Sequence, residues 1–254
     1  TKGREFDFLK LEIELRGCRT ILIDAGVLGS PGTDPTIDRD VVAAAAGETI
    51  NELISRNDRG AVIEVMAKGA ARVIDELCRQ GDIDGVISMG GSGGTLIATT
   101  AMRTLPPGIP KILVTTGTIQ DTAQYTDGVN IVVIPSIVDI AGLNRITRPL
   151  ISGAAAAICG MVEAKVHAGQ GQPTIAATML GNTTPAVELA RKIFEKKGFE
   201  VLIFHANGGG RNLEALVRAG EVSGVFDLST TELANELCGG VRSAGPDLSL
   251  IHIS

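Results

Sequence analysis

Seven short runs rich in β-branched and apolar residues recur along the chain: TILIDAG, GVISMGG, KILVTTG, NIVVIPS, TIAATML, EVLIFHA and GVFDLST. Helix-period segments separate them, so the chain must fold as alternating strands and helices, with strands that a helical crossover makes parallel. The clearest helical segment runs from Arg59 to Gln80, where Val62, Met66, Gly69, Val73 and Leu77 fall on one face at steps of three and four. It closes on Gly81, the residue type that terminates helices in the left-handed conformation. A second helix is expected from Arg4 to Leu15, with Phe6, Leu9 and Ile13 on one face. A third, rich in small residues, is expected within Leu143–Pro173, interrupted at Pro149.

Two blocks repeat in the same order. GCRTILIDAGVLG from Gly17 parallels GFEVLIFHANGGG from Gly198, and LCRQGDIDGVISM from Leu77 parallels LVRAGEVSGVFDL from Leu216. The two blocks stand further apart in the first copy, as an inserted helical stretch between Gly29 and Lys68 would leave them. Ordered repetition of this kind indicates two related lobes. The Gly/Gln-rich stretch from Ala168 to Pro173 is the natural boundary, giving an N-terminal Rossmann-like lobe over 1–169 and a partial C-terminal one over 170–247. Open parallel sheets bind ligands beyond the carboxyl ends of their strands, so a site is expected there, in a cleft between the lobes.

Composition narrows the ligand. Of 254 residues, 23 are Lys or Arg and 29 are Asp or Glu, a formal charge of −6 without long single-sign runs. That excludes a basic nucleic-acid stripe or polybasic membrane patch. Seven aromatic residues leave little for a base-stacking platform, so small-molecule contacts must come from backbone and polar groups. Cys18, Cys78, Cys159 and Cys238 form no C-x-x-C pair and read as reduced thiols of a cytoplasmic protein. No run of 18 apolar residues and no leader pattern is visible. The first helix begins without a strand ahead of it, and LSLIHIS at 248–254 reads as an adapter scar; both lobes are therefore expected to be truncated.

The chemistry concentrates in GGSGGT, residues Gly90, Gly91, Ser92, Gly93, Gly94 and Thr95, between a strand and a helix. Glycines allow the backbone to approach a ligand, and a helix start offers free N–H groups to an anion. The loop is neither a Walker A sequence, since no lysine lies between Lys68 and Lys111, nor the Gly-x-Gly-x-x-Gly dinucleotide fingerprint. Gly90-Gly91-Ser92-Gly93-Gly94 does satisfy Gly-x-Ser-x-Gly, so the alternative is a serine hydrolase with Asp139 and His167 or His205 completing a triad. A plain connection is the third reading. Further polar turns end other strands and supply Thr116, Gly117, Asn182, Thr183, Gly208 and Gly209 as cleft candidates. Asn182–Thr184 before Pro185 also fits a helix cap, and STTEL from Ser229 fits a capping box with Glu232. No metal-ligand spacing occurs, and Asp121, Asp127 and Asp139 lack visible partners; Mg²⁺ would arrive with phosphates.

Seven ordered motifs carry a resemblance: TKGREFDFL, DAGVLG, RGAVIEVMAKGAARVIDEL, DGVISMGGSGGT, SIVDIAGLNRI, TTPAVELAR and STTELANELCGGVRSAGPD. Together they resemble the tomato mosaic virus resistance protein-like ATP-binding domain family, from Thr1 to about Asp247. The resemblance implies a two-subdomain Rossmann-like α/β fold, ATP or another nucleotide as ligand, and a homodimer, while the charge pattern leaves no direct nucleic-acid or membrane partner expected. The fold class expected is thus α/β, two Rossmann-like three-layer lobes with mostly parallel sheets. GGSGGT is the expected phosphate loop.

Overall fold

A computed structural model of the chain describes residues 2–117, 129–164, 171–241 and 243. Asp121, Asp127, His167, residues 168–170 of the expected linker and the 248–254 tail lie outside the described residues. Contacts divide the chain into two units, Thr1–Lys165 and Val166–Ser254.

The first unit opens with α1 (Gly3–Glu14), followed by α2 (Arg39–Ala46), α3 (Ile50–Arg56) and α4 (Arg59–Gln80). Then come β1 (Val86–Gly90), α5 (Ser92–Met102), β2 (Lys111–Thr115), β3 (Val132–Pro135) and α6 (Thr147–Glu163). The three strands form a parallel sheet in the order β1-β2-β3. Strand periodicity splits β2 between two helical layers: Ile112 and Val114 pack with Leu9 of α1 and Ile151 of α6, while Leu113 packs with Ala98 and Met102 of α5. All three are fully buried, as expected of a parallel sheet covered on both faces.

Helix α4 has the limits its periodicity predicts, with Asp58 accepting from the Ala61 N–H at one end and Gly81 at φ +77° at the other. Pro149 does not interrupt α6. It occupies the first turn, where the missing N–H would have had no partner, while the Asn144 carboxamide oxygen accepts from the N–H groups of Ile146 and Thr147. The segment TILIDAG departs further from expectation. Among the described residues it makes one isolated parallel bridge, Ile23 to Ile37, and joins no sheet. Strand propensity was present; a neighbouring strand is what the segment lacks.

Lys111, at the start of β2, is buried, and its ammonium donates to the carbonyls of Pro106 and Ile109 at 2.7 and 2.9 Å. Burial lowers its pKa below the ordinary lysine value. The unfolded chain then holds that proton more tightly than the folded one. Stability should rise with pH from the folded pKa up to the unfolded value, roughly 10.4, and Lys111→Met should lose that rise, as denaturant midpoints at neutral and alkaline pH will report.

The second unit comprises β4 (Thr174–Met179), α7 (Thr184–Lys196), β5 (Glu200–His205), α8 (Gly210–Arg218), β6 (Gly224–Asp227) and α9 (Thr231–Cys238). Its sheet is parallel in the order β5-β4-β6. Ala176, Phe204 and Val225 pack with Leu213 of α8, whereas Phe226 meets Phe194 of α7 edge-on at 5.8 Å. Alternation along β6 thus puts α7 and α8 on opposite faces. Both units are Rossmann-like α/β layers with parallel sheets. Among the described residues no helix is long and apolar enough to cross a membrane.

Gly69 marks the tightest helix contact. A Cβ there would stand 2.0 Å from the Val42 carbonyl oxygen of α2. Gly69→Ala must push α2 away from α4, and is expected to cost about 1–3 kcal/mol by denaturant unfolding.

Candidate functional site

The backbone of GGSGGT builds a helix start at the carboxyl end of β1. Gly91 is the N-cap residue of α5, in extended conformation, and its side chain has no atom to cap with. The Thr95 N–H makes the first helical bond, to the Gly91 carbonyl at 2.8 Å. The N–H groups of Ser92, Gly93 and Gly94 precede that bond, so the helix ladder cannot satisfy them, and among the described residues no side chain caps them. Their partial positive charge is open to an acceptor.

The four glycines serve different ends. A Cβ on Gly90 would meet Gly94 Cα at 3.0 Å, and one on Gly93 would press on Ile63 Cδ1 of α4 at 2.9 Å, so packing accounts for both. Gly91 and Gly94 are under no such pressure: the nearest atoms to an added Cβ are Thr116 Oγ1 at 3.5 Å and the Met89 carbonyl oxygen at 3.6 Å. Gly91 also has φ −89°, which any residue adopts. Neither backbone strain nor packing explains glycine at position 91.

The structure brings Thr116 and Gly117 to this loop. The Thr116 N–H donates to the Gly90 carbonyl at 3.2 Å, and the Gly117 N–H to Thr115 Oγ1 at 3.0 Å. Thr95 turns inward. Its hydroxyl is buried against that of Thr115 at 2.9 Å, tying α5 to β2. Sequence reasoning missed Thr115, whose hydroxyl joins the two. The loop lines a cavity of about 1410 Å³ in the first unit, together with Lys2, Asp24 and Asp139. Lys2 pairs with Asp139 at 3.5 Å, and Asp24 pairs with Arg39 at 2.6 Å.

The second-unit candidates lie in a different setting. Asn182 is exposed; the Thr183 hydroxyl accepts from the Leu180 N–H at 3.0 Å and lies 2.5 Å from Ser229 Oγ. Gly209 is demanded by packing, since a Cβ would come within 2.4 Å of the His205 carbonyl oxygen. The Gly208 and Gly210 N–H groups donate to one carboxylate oxygen of buried Glu232, at 2.5 and 3.4 Å. Glu232 therefore caps the start of α8 instead of closing a capping box on its own helix, where no side-chain cap forms. The protein's own anion occupies this helix start. Glu232→Ala should destabilise the fold by about 1–3 kcal/mol in thermal or denaturant unfolding, and more than Glu232→Gln, because the Gly208 N–H and the buried Gly210 N–H lose their acceptor.

Ser92 belongs to the first unit, whose residues include no histidine; all three histidines follow Lys165. His205 is exposed at the end of β5, and the Asp139 side chain is 74% exposed. Burial raises the Cys159 thiol to about 11, reinforced by a hydrogen bond with Cys18, which suppresses its thiolate. Among the described residues no group of three or more His, Cys, Asp or Glu could hold a metal ion.

These features define a parallel α/β protein of two units, with an uncapped glycine-rich helix start at a strand's carboxyl end in the first. Residues 1–167 match the N-terminal domain, and residues 172–250 the C-terminal domain, of the uncharacterised protein family UPF0261, and the chain belongs to that family. A UPF0261 protein of Clostridium tetani (strain Massachusetts / E88) is 47% identical over 249 residues, which is 97% of this chain and 62% of that protein. UPF0261 protein RA0729 of Rhizobium meliloti (strain 1021) is 39% identical over 248 residues, 97% of this chain and 61% of the relative. The ToMV resistance protein Tm-1(GCR237) of Solanum lycopersicum is 40% identical over 192 residues, 73% of this chain and 26% of the tomato protein. The chain thus spans about three-fifths of the length of the two bacterial relatives.

Proposed function

We propose that the first unit binds a nucleotide, ATP, by its phosphates at residues 90–95. The observation that carries this reading is Gly91: no steric or conformational demand of the fold requires glycine there, yet it leaves clear the approach to three uncommitted N–H groups. A phosphate oxygen suits such a helix start in charge and in hydrogen-bond capacity. The hydroxyls of Ser92 and Thr116 would add donors at its edge. Mg²⁺ would be held mainly by the phosphates and water, as this ion commonly is. The resemblance of the seven motifs to an ATP-binding family points to the same ligand. Gly208 and Gly209 are weaker phosphate candidates, because Glu232 already supplies an anion to that loop.

Calorimetric titration of the full-length protein with ATP and Mg²⁺, followed by a phosphate-release assay on the same sample, tests the reading. No heat and no thermal shift at millimolar ATP would overturn it. Ser92→Ala removes one hydroxyl among mostly backbone donors and should weaken binding only about 2- to 5-fold. Gly91→Val should weaken it by about 10-fold or more while leaving the melting temperature nearly unchanged, because the nearest described atom to an added Cβ, Thr116 Oγ1, stands at an ordinary contact distance of 3.5 Å. Loss of an ester-hydrolysing activity in Ser92→Ala, with no nucleotide bound by the parent protein, would instead identify Ser92 as a nucleophile.

A further inference from the structure

Two of the four cysteines meet in the first unit. Cys159 is buried on α6, in the apolar cluster that also holds Leu9 and Ile13 of α1. Cys18 is half-buried, packs against that same cluster, and is in hydrogen-bonding contact with Cys159. The Cys159 Sγ also lies 4.0 Å from the Ile13 carbonyl oxygen, which places the thiol beside the last turn of α1.

A polar seam sets the register of the two helices. The Ser152 hydroxyl donates to Glu12 Oε2 at 2.5 Å and accepts from Arg16 at 3.1 Å, tying the end of α1 to α6. Cys159 follows Ser152 by two helical turns and so shares its face. Gly17, at φ +86°, then turns the chain out of α1 and brings Cys18 to that face. The other cysteines are placed elsewhere. Cys78, on α4, packs in a different apolar cluster, and Cys238 belongs to the second unit.

We propose that Cys18 and Cys159 form a reversible disulfide when the protein meets a hydroperoxide, latching the connection into TILIDAG to α6. Burial keeps the Cys159 proton in place, so the more accessible Cys18 sulfur reacts first. The Cys18 thiolate attacks a peroxide oxygen: an S–O bond forms, the O–O bond breaks, and the departing alkoxide takes up the proton that Cys18 released. Cys159 then attacks the Cys18 sulfur. An S–S bond forms, the S–O bond breaks, and the hydroxide leaves with the Cys159 proton as water. Two thiols and one hydroperoxide thus give one disulfide, one alcohol and one water.

The bond needs the sulfurs at about 2.05 Å, closer than hydrogen-bonded thiols stand. Cys18 can supply that movement, because the segment it leads into joins no sheet among the described residues. The backbone bonds of TILIDAG to Thr36 and Ile37 begin at Leu22, and the disulfide would anchor the chain ahead of them. Further along the segment, Asp24 holds Arg39 and the Gly26 N–H and lines the cavity of the glycine loop. The redox state of the pair therefore reaches a wall of the candidate site, whichever ligand that site takes.

Peptide mapping of the full-length protein tests the latch. Reduced protein is treated with hydrogen peroxide, its remaining thiols are blocked with N-ethylmaleimide, and a digest made without reductant is read by mass spectrometry. The expected product is a peptide cross-linked through Cys18 and Cys159, about 2 Da lighter than its two reduced parts together and cleaved by dithiothreitol. The cross-linked protein should melt at least about 3 °C above the reduced one. In Cys159→Ser the oxidation should stop at a sulfenic acid on Cys18, which dimedone labels. Survival of both thiols, a persistent sulfenic acid on Cys18 of the parent protein, or a linkage through Cys78 or Cys238 would overturn the proposal. Equal melting of the cross-linked and reduced forms would overturn the latch. The map of the parent protein decides the pairing whether or not the variant folds.

Discussion

Backbone pairing between parallel strands is the constraint on which the rest of the first unit depends. A parallel strand has two edges, and consecutive residues address them alternately. In β1 the even-numbered residues are joined to β2. This ladder sets the carboxyl end at Gly90, and hence the point where α5 can start. It also leaves Ile87 and Met89 facing the cavity and TILIDAG without a ladder. The glycine loop and the cavity are thus two consequences of the same strand.

The two units treat similar helix starts differently. At α8 the buried carboxylate of Glu232 accepts from the loop N–H groups, whereas at α5 no side chain among the described residues is recruited in that way. A capped start is an anchor; an open one retains its capacity for an external acceptor. Glycine has a parallel division of labour. Gly69, Gly90 and Gly209 let backbones meet, and Gly81 and Gly220 turn the chain with positive φ. Gly91 does neither.

Much of the fold was legible wherever local periodicity and local chemistry agree. Arg59–Gln80 carries its own apolar face, its Asp58 cap and its Gly81 stop, and six of the seven expected strands are present. Pro149 misled because proline's meaning depends on its distance from the helix start, and that start is set by Asn144. TILIDAG misled because a strand is a property of a pair. Within the site, the placement of GGSGGT between strand and helix was readable from neighbouring residues. The inward turn of Thr95 toward Thr115, and the reach of Glu232 to Gly208, were not, since each partner lies about twenty residues away.

By itself the sequence determined the alternation of strands and helices, the internal repeat, and a glycine-rich turn without the lysine of a Walker A loop. These are local or periodic properties, written in side-chain type and spacing. Only the tertiary structure decided which strand edges are paired, which glycines packing requires, and which helix start is already supplied with an anion. Those outcomes depend on backbone groups, which are the same at nearly every residue and acquire individuality only when the fold brings a partner to them or leaves them without one.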